Sequence, residues 1–283
     1  MIMKQKLRLQ KGFTLIEIAV VLVLIGLLLG SFIGSVSQRI ETSQRENTKK
    51  QLVDIKTALL GFVSTTGRLP CPTTTIGNGE EQPTIGSTRA IACTLQHGFV
   101  PGKTLGISGP YNRDNLLVDS WKNPIRYSVT TANTNAFTSP PVEEDLLALP
   151  PVLAEGIKGF GIDKLSPDLK ICTVLGCPSA TETLISNAPF ILLSLGKDGS
   201  SFIESIIPSV DPPTTDQGEN AGEEKVAANV AGENLEYTVG NDEEFVSRSY
   251  SRVDSAAGLF DDLIVWESPY IIYSRMMEAG QLP

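Results

Sequence analysis

Histidine is almost missing from this 283-residue chain, in which His97 stands alone. Chemistry built on imidazole pairs is thereby excluded, and no nucleophile partner for His97 is recognisable from the sequence. Cysteine is sparse as well. The four that occur form no C-x-x-C pair, which argues against a zinc site. No proline falls between Phe13 and Leu69, so nothing in that stretch forces a helix to break. No acid precedes Phe13, and no small-x-small cleavage site follows the apolar run that begins there, which argues against an ordinary secretory signal peptide. Cations are in deficit, 23 Lys and Arg against 32 Asp and Glu, for a formal charge of −9. Affinity for nucleic acid comes mainly from Lys and Arg neutralising phosphates, so no nucleic-acid partner is expected.

What is present at the N-terminus is more telling. Lys4, Lys6, Arg8 and Lys11 precede the segment Gly12-Phe13-Thr14-Leu15-Ile16-Glu17, and an apolar run continues to Val36. The four cations place residues 1–12 on the cytoplasmic side and everything after about Ser37 outside. Residues 13–36 are long enough to span a bilayer, which needs about 20 apolar residues. A plain signal anchor would account for all of this except Glu17. An ionised carboxylate inside such a span costs at least a few kcal/mol when unpaired, so it marks a functional site whose partner must be named. Cleavage after Gly12 supplies one: the new α-amino group on Phe13 of a neighbouring copy.

This stretch resembles the processing site of type IV prepilins and of type II secretion pseudopilins. The resemblance implies that a prepilin peptidase cuts between Gly12 and Phe13, methylates Phe13, and leaves Glu17 as the fifth mature residue. It implies polymerisation with other pilin or pseudopilin subunits by an inner-membrane platform protein, in a type IV pilus or a type II secretion pseudopilus. The expected location is the inner membrane by a single pass, with the exterior domain in the periplasm, and then the fibre. The family is structural, so no enzymatic activity is expected. A membrane-tethered binding protein that keeps a pilin-like anchor without polymerising is the alternative. Loss of the four leader cations leaves a mature charge near −13.

The helix should continue past the membrane. Gly26, Gly30 and Gly34 lie on one face at four-residue spacing, either as a small-residue packing stripe or simply as glycines common in spanning helices. From Ser37 the chain turns polar, and Leu52, Ile55, Leu59 and Phe62 recur at helical spacing, with Val53, Leu60 and Val63 beside them. One helix through residue 66 would make a rod about 75 Å long, ended by Gly67 and Pro70.

Residues 67–283 are enough for one exterior domain. In an oxidising compartment Cys71, Cys93, Cys172 and Cys177 read as disulfides. Three connectivities are open, of which the local pairs Cys71–Cys93 and Cys172–Cys177 close the smaller loops. Strands are expected at Ile125–Val129, Phe190–Leu195, Glu244–Tyr250 and Leu263–Trp266. A closing helix should follow, capped by Ser268, started by Pro269 and stopped by Gly280, with Ile272, Met276 and Met277 inward. The fold class is α+β: a long N-terminal helix packed on an antiparallel sheet, with a short C-terminal helix. Residues 208–235, rich in Pro, Asn, Gly and Glu, read as an acidic, mobile insertion. Asp119-Ser120-Trp121-Lys122-Asn123-Pro124 is similar to a stretch that opens the first strand of major pseudopilins, with Lys122 where glycine is usual. Leu195-Gly196-Lys197-Asp198-Gly199 resembles their calcium loop, which implies Ca²⁺ held by Asp198 with Asp261 or Asp262. An ordinary hairpin turn at Asp198-Gly199 is the competing reading. Two catalytic look-alikes fail. Gly98 to Thr104 is one residue short of a phosphate loop and contains Pro101. Ser194-x-x-Lys197 lacks its companion motifs.

Overall fold

The computed structural model describes residues 14–85, 91–93, 95–140, 156–199, 220, 243–251 and 258–282. The proline-free stretch forms a single helix, α1 (Leu15–Thr66). It stops at Gly67, whose φ of +75° turns the chain out of the helix while its N–H still reaches Val63 O at 2.8 Å. The chain divides into two compact units, Met1–Glu46 and Asn47–Pro283.

The second unit is layered. Its elements after α1 are β1 (Pro83–Ile85), β2 (Ile91–Cys93), β3 (His97–Phe99), β4 (Arg126–Val129), a left-handed turn α2 (Ala132–Asn135), a single turn α3 (Ile157–Phe160), β5 (Leu169–Cys172), β6 (Thr183–Ala188), β7 (Phe190–Ser194), a 3-10 turn (Gly196–Asp198), β8 (Glu244–Val246), β9 (Leu263–Trp266) and α4 (Pro269–Glu278). β1 and β2 make a separate hairpin, and β3-β4-β7-β9 form an antiparallel sheet. A second sheet, ordered β6-β5-β8, which the sequence reading did not expect, lies behind it; there β5 and β8 run parallel.

Side-chain alternation on the strands sorts the core into two layers. Leu52, Ile55, Leu59 and Val63 of α1 pack with Ile125, Tyr127, Val129, Phe190 and Leu192, and α4 adds Ile272, Tyr273 and Met276. On the other face of β7, Ile191, Leu193 and Leu195 meet Leu169, Ile171 and Phe245 of the second sheet. β7 is therefore buried on both faces, which is why Phe190 to Leu195 is apolar almost without interruption.

Several sequence expectations are corrected in detail. Val63, not Phe62, completes the α1 stripe, because 3.6 residues per turn carries the face from Leu59 to Val63. Phe62 is half-buried, with the Arg68 guanidinium 5.3 Å above its ring. In α4 Tyr273 takes the inward place expected of Met277, which sits 46% exposed on the opposite side from Ile272. Ser268 occupies the N-cap position of α4 without a side-chain cap bond. Within the segment read as a mobile insertion, one residue is described. Asn220 is fully buried, so at that point the chain is packed; residues 208–219 and 221–235 lie outside the described residues.

Candidate assembly site

The N-terminal unit starts on a reciprocal cap. Thr14 Oγ1 accepts the Glu17 backbone N–H at 3.4 Å, and Glu17 Oε2 faces Thr14 N and Oγ1 at 3.5 Å each. This T-x-x-E arrangement satisfies helix-end donors that have no partner within the helix, and it sets a carboxylate at the positive end of the dipole. The bonds are long, so the carboxylate is only loosely held. The box was legible in the sequence through its spacing but masked by the apolar run around it.

Behind the cap, the described side chains from Leu15 to Leu27 are apolar on all sides except Glu17, and exposed. Leu15 is 89% exposed and Leu27 70%, with Ile16, Ile18 and every large apolar residue from Val20 to Ile25 exposed between them. A helix with no polar face is stable only inside lipid or among other helices. A Cβ at Gly26 would have open space around it. Gly30 and Gly34 belong to the same helix, but their surroundings lie outside the described residues, as do Gly12 and Phe13 altogether. Among the described residues no helix is long and apolar enough to cross a membrane; side chains of the expected 13–36 span are described from Thr14 to Leu27.

Residues 7–33 match the family model for the prokaryotic N-terminal methylation motif. The chain carries a prepilin-type N-terminus. Such a terminus implies processing by a prepilin peptidase, assembly with pilin-like subunits and anchorage in a membrane. The prepilin-type motif belongs to structural chains rather than enzymes. Comparison with curated proteins and with solved structures found no match.

Both local disulfides are formed, Cys71–Cys93 with Cα atoms 5.2 Å apart and Cys172–Cys177 with 5.5 Å. Near the first, Arg68 forms a two-pronged bridge to Glu81 at 2.8 Å per contact, and Glu81 Oε2 also accepts Cys71 N.

Two of the three residues expected at calcium accept hydrogen bonds within the chain. Asp261 Oδ2 accepts Lys197 N at 2.6 Å, and Asp262 Oδ2 accepts Asn220 Nδ2 at 2.7 Å. Gly196, at φ +66°, leaves room for the Asp261 carboxylate that a Cβ would overlap. Asp198 closes the 3-10 turn rather than a two-residue hairpin, and its side chain lies outside the described residues. Among the described residues no group of three or more His, Cys, Asp or Glu is arranged to hold a metal ion.

Polar residues of the turn before β4 organise this loop. Asp119 Oδ1 accepts Trp121 N and Asn123 N at 2.8 and 2.9 Å, while Ser194 Oγ donates to Asp119 Oδ2 at 2.7 Å. Burial raises the Asp119 pKa, and these bonds oppose the rise. Asn123 Nδ2 then donates to Gly196 O at 2.6 Å, tying the turn before β4 to the loop after β7. Ser194 of the Ser-x-x-Lys fragment is thus a buried structural donor.

His97 does have a hydroxyl partner that sequence reading did not find. Its Nδ1 lies 2.9 Å from Ser128 Oγ on the paired strand β4, and its ring is 6.1 Å from that of Phe245 on β8. Burial lowers its pKa to about 4, against a smaller opposing pull from the Asp168 charge. The pairing follows from strand register, which a single sequence does not display.

Proposed function

We propose that the chain is a structural subunit, a minor pilin or pseudopilin, of a type IV pilus or a type II secretion pseudopilus. The observation that carries this reading is the motif match over residues 7–33, on a helix whose large apolar side chains from Leu15 to Leu27 are exposed among the described residues and whose first turn bears one carboxylate. Prepilin peptidase cuts between Gly12 and Phe13 and methylates the new amine. In the membrane, Glu17 of an incoming copy leaves its loose contact with Thr14 and pairs with the Phe13 ammonium of the copy added before it. That attraction is strengthened by the low dielectric and sets axial register. Apolar packing of residues 15–36, with close approach at Gly26, Gly30 and Gly34, then holds the fibre core. The platform protein and its neighbours supply the work of extraction.

The test is Glu17→Ala, followed by N-terminal mass and by the share of protein in sheared fibres. The expected result is normal cleavage and membrane insertion with loss of incorporation by tenfold or more, the effect of removing about 1.4 kcal/mol or more from subunit addition. Incorporation at the wild-type level would remove the mechanism. If even the wild-type chain, correctly processed, stays in the membrane fraction while fibres form, the chain is a tether instead.

A further inference from the structure

The Cys71–Cys93 disulfide ties the turn that leaves α1 to a small hairpin. Cys93 ends β2, which forms with β1 a two-stranded sheet of three residues on each side. A hairpin of that kind is marginal without outside support. Cys71 lies on the turn that follows Gly67, where α1 has ended. Forming the bond therefore requires that the turn and the hairpin be held against each other.

Glu81 makes that connection. Its carboxylate accepts Arg68 Nη2 at Oε1 and Arg68 Nη1 at Oε2, each at 2.8 Å, and Oε2 also accepts Cys71 N at 3.0 Å. Its own backbone leads through Gln82, whose N–H donates to Pro72 O at 3.3 Å, into Pro83, the register partner of Cys93. One residue thus holds the backbone of Cys71 with its side chain and runs into the strand facing Cys93. Arg68 is fixed in turn, with its guanidinium 5.3 Å above the Phe62 ring of α1 and Nη1 donating to Leu69 O at 3.1 Å. The side chains of the ion pair are only 13% and 16% exposed. Charge-assisted bonds at such sites are strong, and removing one partner leaves the other charge uncompensated.

When one contact brings two thiols together and the bond between them holds that contact in place, the two are coupled, and the coupling is reciprocal. We propose that Glu81 positions Cys71 for oxidation with Cys93, and that through Arg68 the redox state of this pair sets how firmly the last turn of α1 is held to the domain. The chemistry is thiol–disulfide exchange with a small-molecule disulfide such as glutathione disulfide. One cysteine thiolate attacks a sulfur of glutathione disulfide and releases one glutathione thiolate. The second cysteine thiolate then attacks the mixed disulfide, forming the Cys71–Cys93 bond and releasing the other glutathione. The cysteines give up two electrons and two protons, and glutathione disulfide takes them to become two thiols. The device does not involve Glu17 and does not depend on subunit assembly.

The test equilibrates the full-length chain in detergent micelles with mixtures of reduced and oxidised glutathione, blocks free thiols by alkylation, and reads each cysteine peptide by mass. In Glu81→Gln the equilibrium constant for forming Cys71–Cys93 should fall about tenfold, a rise of about 30 mV in reduction potential. The Cys172–Cys177 potential and the amide-exchange protection of β7 should not move. The same Cys71–Cys93 potential in variant and wild type would overturn the proposal. So would a shift accompanied by loss of β7 protection, which is the mark of general loosening. A second measurement runs the coupling in reverse and keeps Glu81. In Cys93→Ser, hydrogen exchange at the Cys71 amide should quicken about tenfold with β7 still protected. Unchanged exchange at Cys71, or equal losses at Cys71 and β7, would overturn the proposal as well.

Discussion

Lys122 holds a backbone conformation that its own side chain makes costly. Its φ of +76° is left-handed, and a Cβ there costs about 1 to 2 kcal/mol. The turn imposes the angle, because Asp119 binds the backbone N–H groups of Trp121 and Asn123 on either side of it. Lys122→Gly should therefore raise stability by about 0.5 to 1 kcal/mol, seen as a higher denaturant midpoint at unchanged slope. An unchanged or lower midpoint would contradict the conformation assigned to the turn. His97 makes the second prediction at this scale. Its pKa falls from the usual 6.5 to about 4 on folding, so between those values the unfolded chain binds a proton that the native chain refuses. The stability it contributes is complete above pH 6.5 and is lost as pH drops toward 4, by about 3 kcal/mol in all. Asp119, whose pKa is raised, acts in the opposite sense at the acid end. The quantity to measure is accordingly the difference between wild type and His97→Gln in urea denaturation at a series of pH values, which should narrow with acidification. The glycine-like position of Lys122 was legible from the motif it interrupts. The Ser128 partner of His97 was not, because cross-strand neighbours are set by register.

Elements with a strong local signal were readable and the rest were not. α1 followed from the absence of proline and a 3.6-residue stripe, and β9 fell on Leu263–Trp266 because four apolar residues sit between acids. β8 came out shorter than expected, ending at Val246, since the polar tail Ser247 to Tyr250 does not continue the ladder. The other two strands of the second sheet were missed. Leu169–Cys172 has only four residues, and the pairing of Thr183–Ala188 with it is irregular, so their alternation is blurred. The disulfides act at this same scale, each by limiting the unfolded chain. Cys71–Cys93 spans 22 residues and Cys172–Cys177 spans 5. Loop-entropy arguments give about 3.4 and about 2 kcal/mol respectively. Replacing the first pair by serine should thus lower the unfolding free energy more than replacing the second, in denaturant titrations of the two double variants. The reverse order would show that the link beside β5 holds more of the native structure than its small loop implies.

At the scale of the whole molecule, two kinds of surface coexist in one chain. The described side chains of the first unit from Leu15 to Leu27 are apolar and exposed, Glu17 excepted, and the second unit encloses its apolar residues in two layers. Acids outnumber cations by 32 to 23 over the chain, and an excess of one sign disfavours self-adhesion of its charged surface. The prepilin-type terminus was legible in the segment from Gly12 to Glu17, because a carboxylate in an apolar run needs an explanation that a plain anchor does not give. The hold of Glu81 on Cys71 was invisible in sequence, since it depends on how the turn after α1 folds back on the hairpin. The account turns on a free amine at Phe13, and the N-terminal peptide of protein recovered with sheared fibres tests it most directly by mass spectrometry. The predicted peptide begins at Phe13 and carries one methyl group on its α-nitrogen. A fibre-borne peptide that still begins at Met1 would contradict the account.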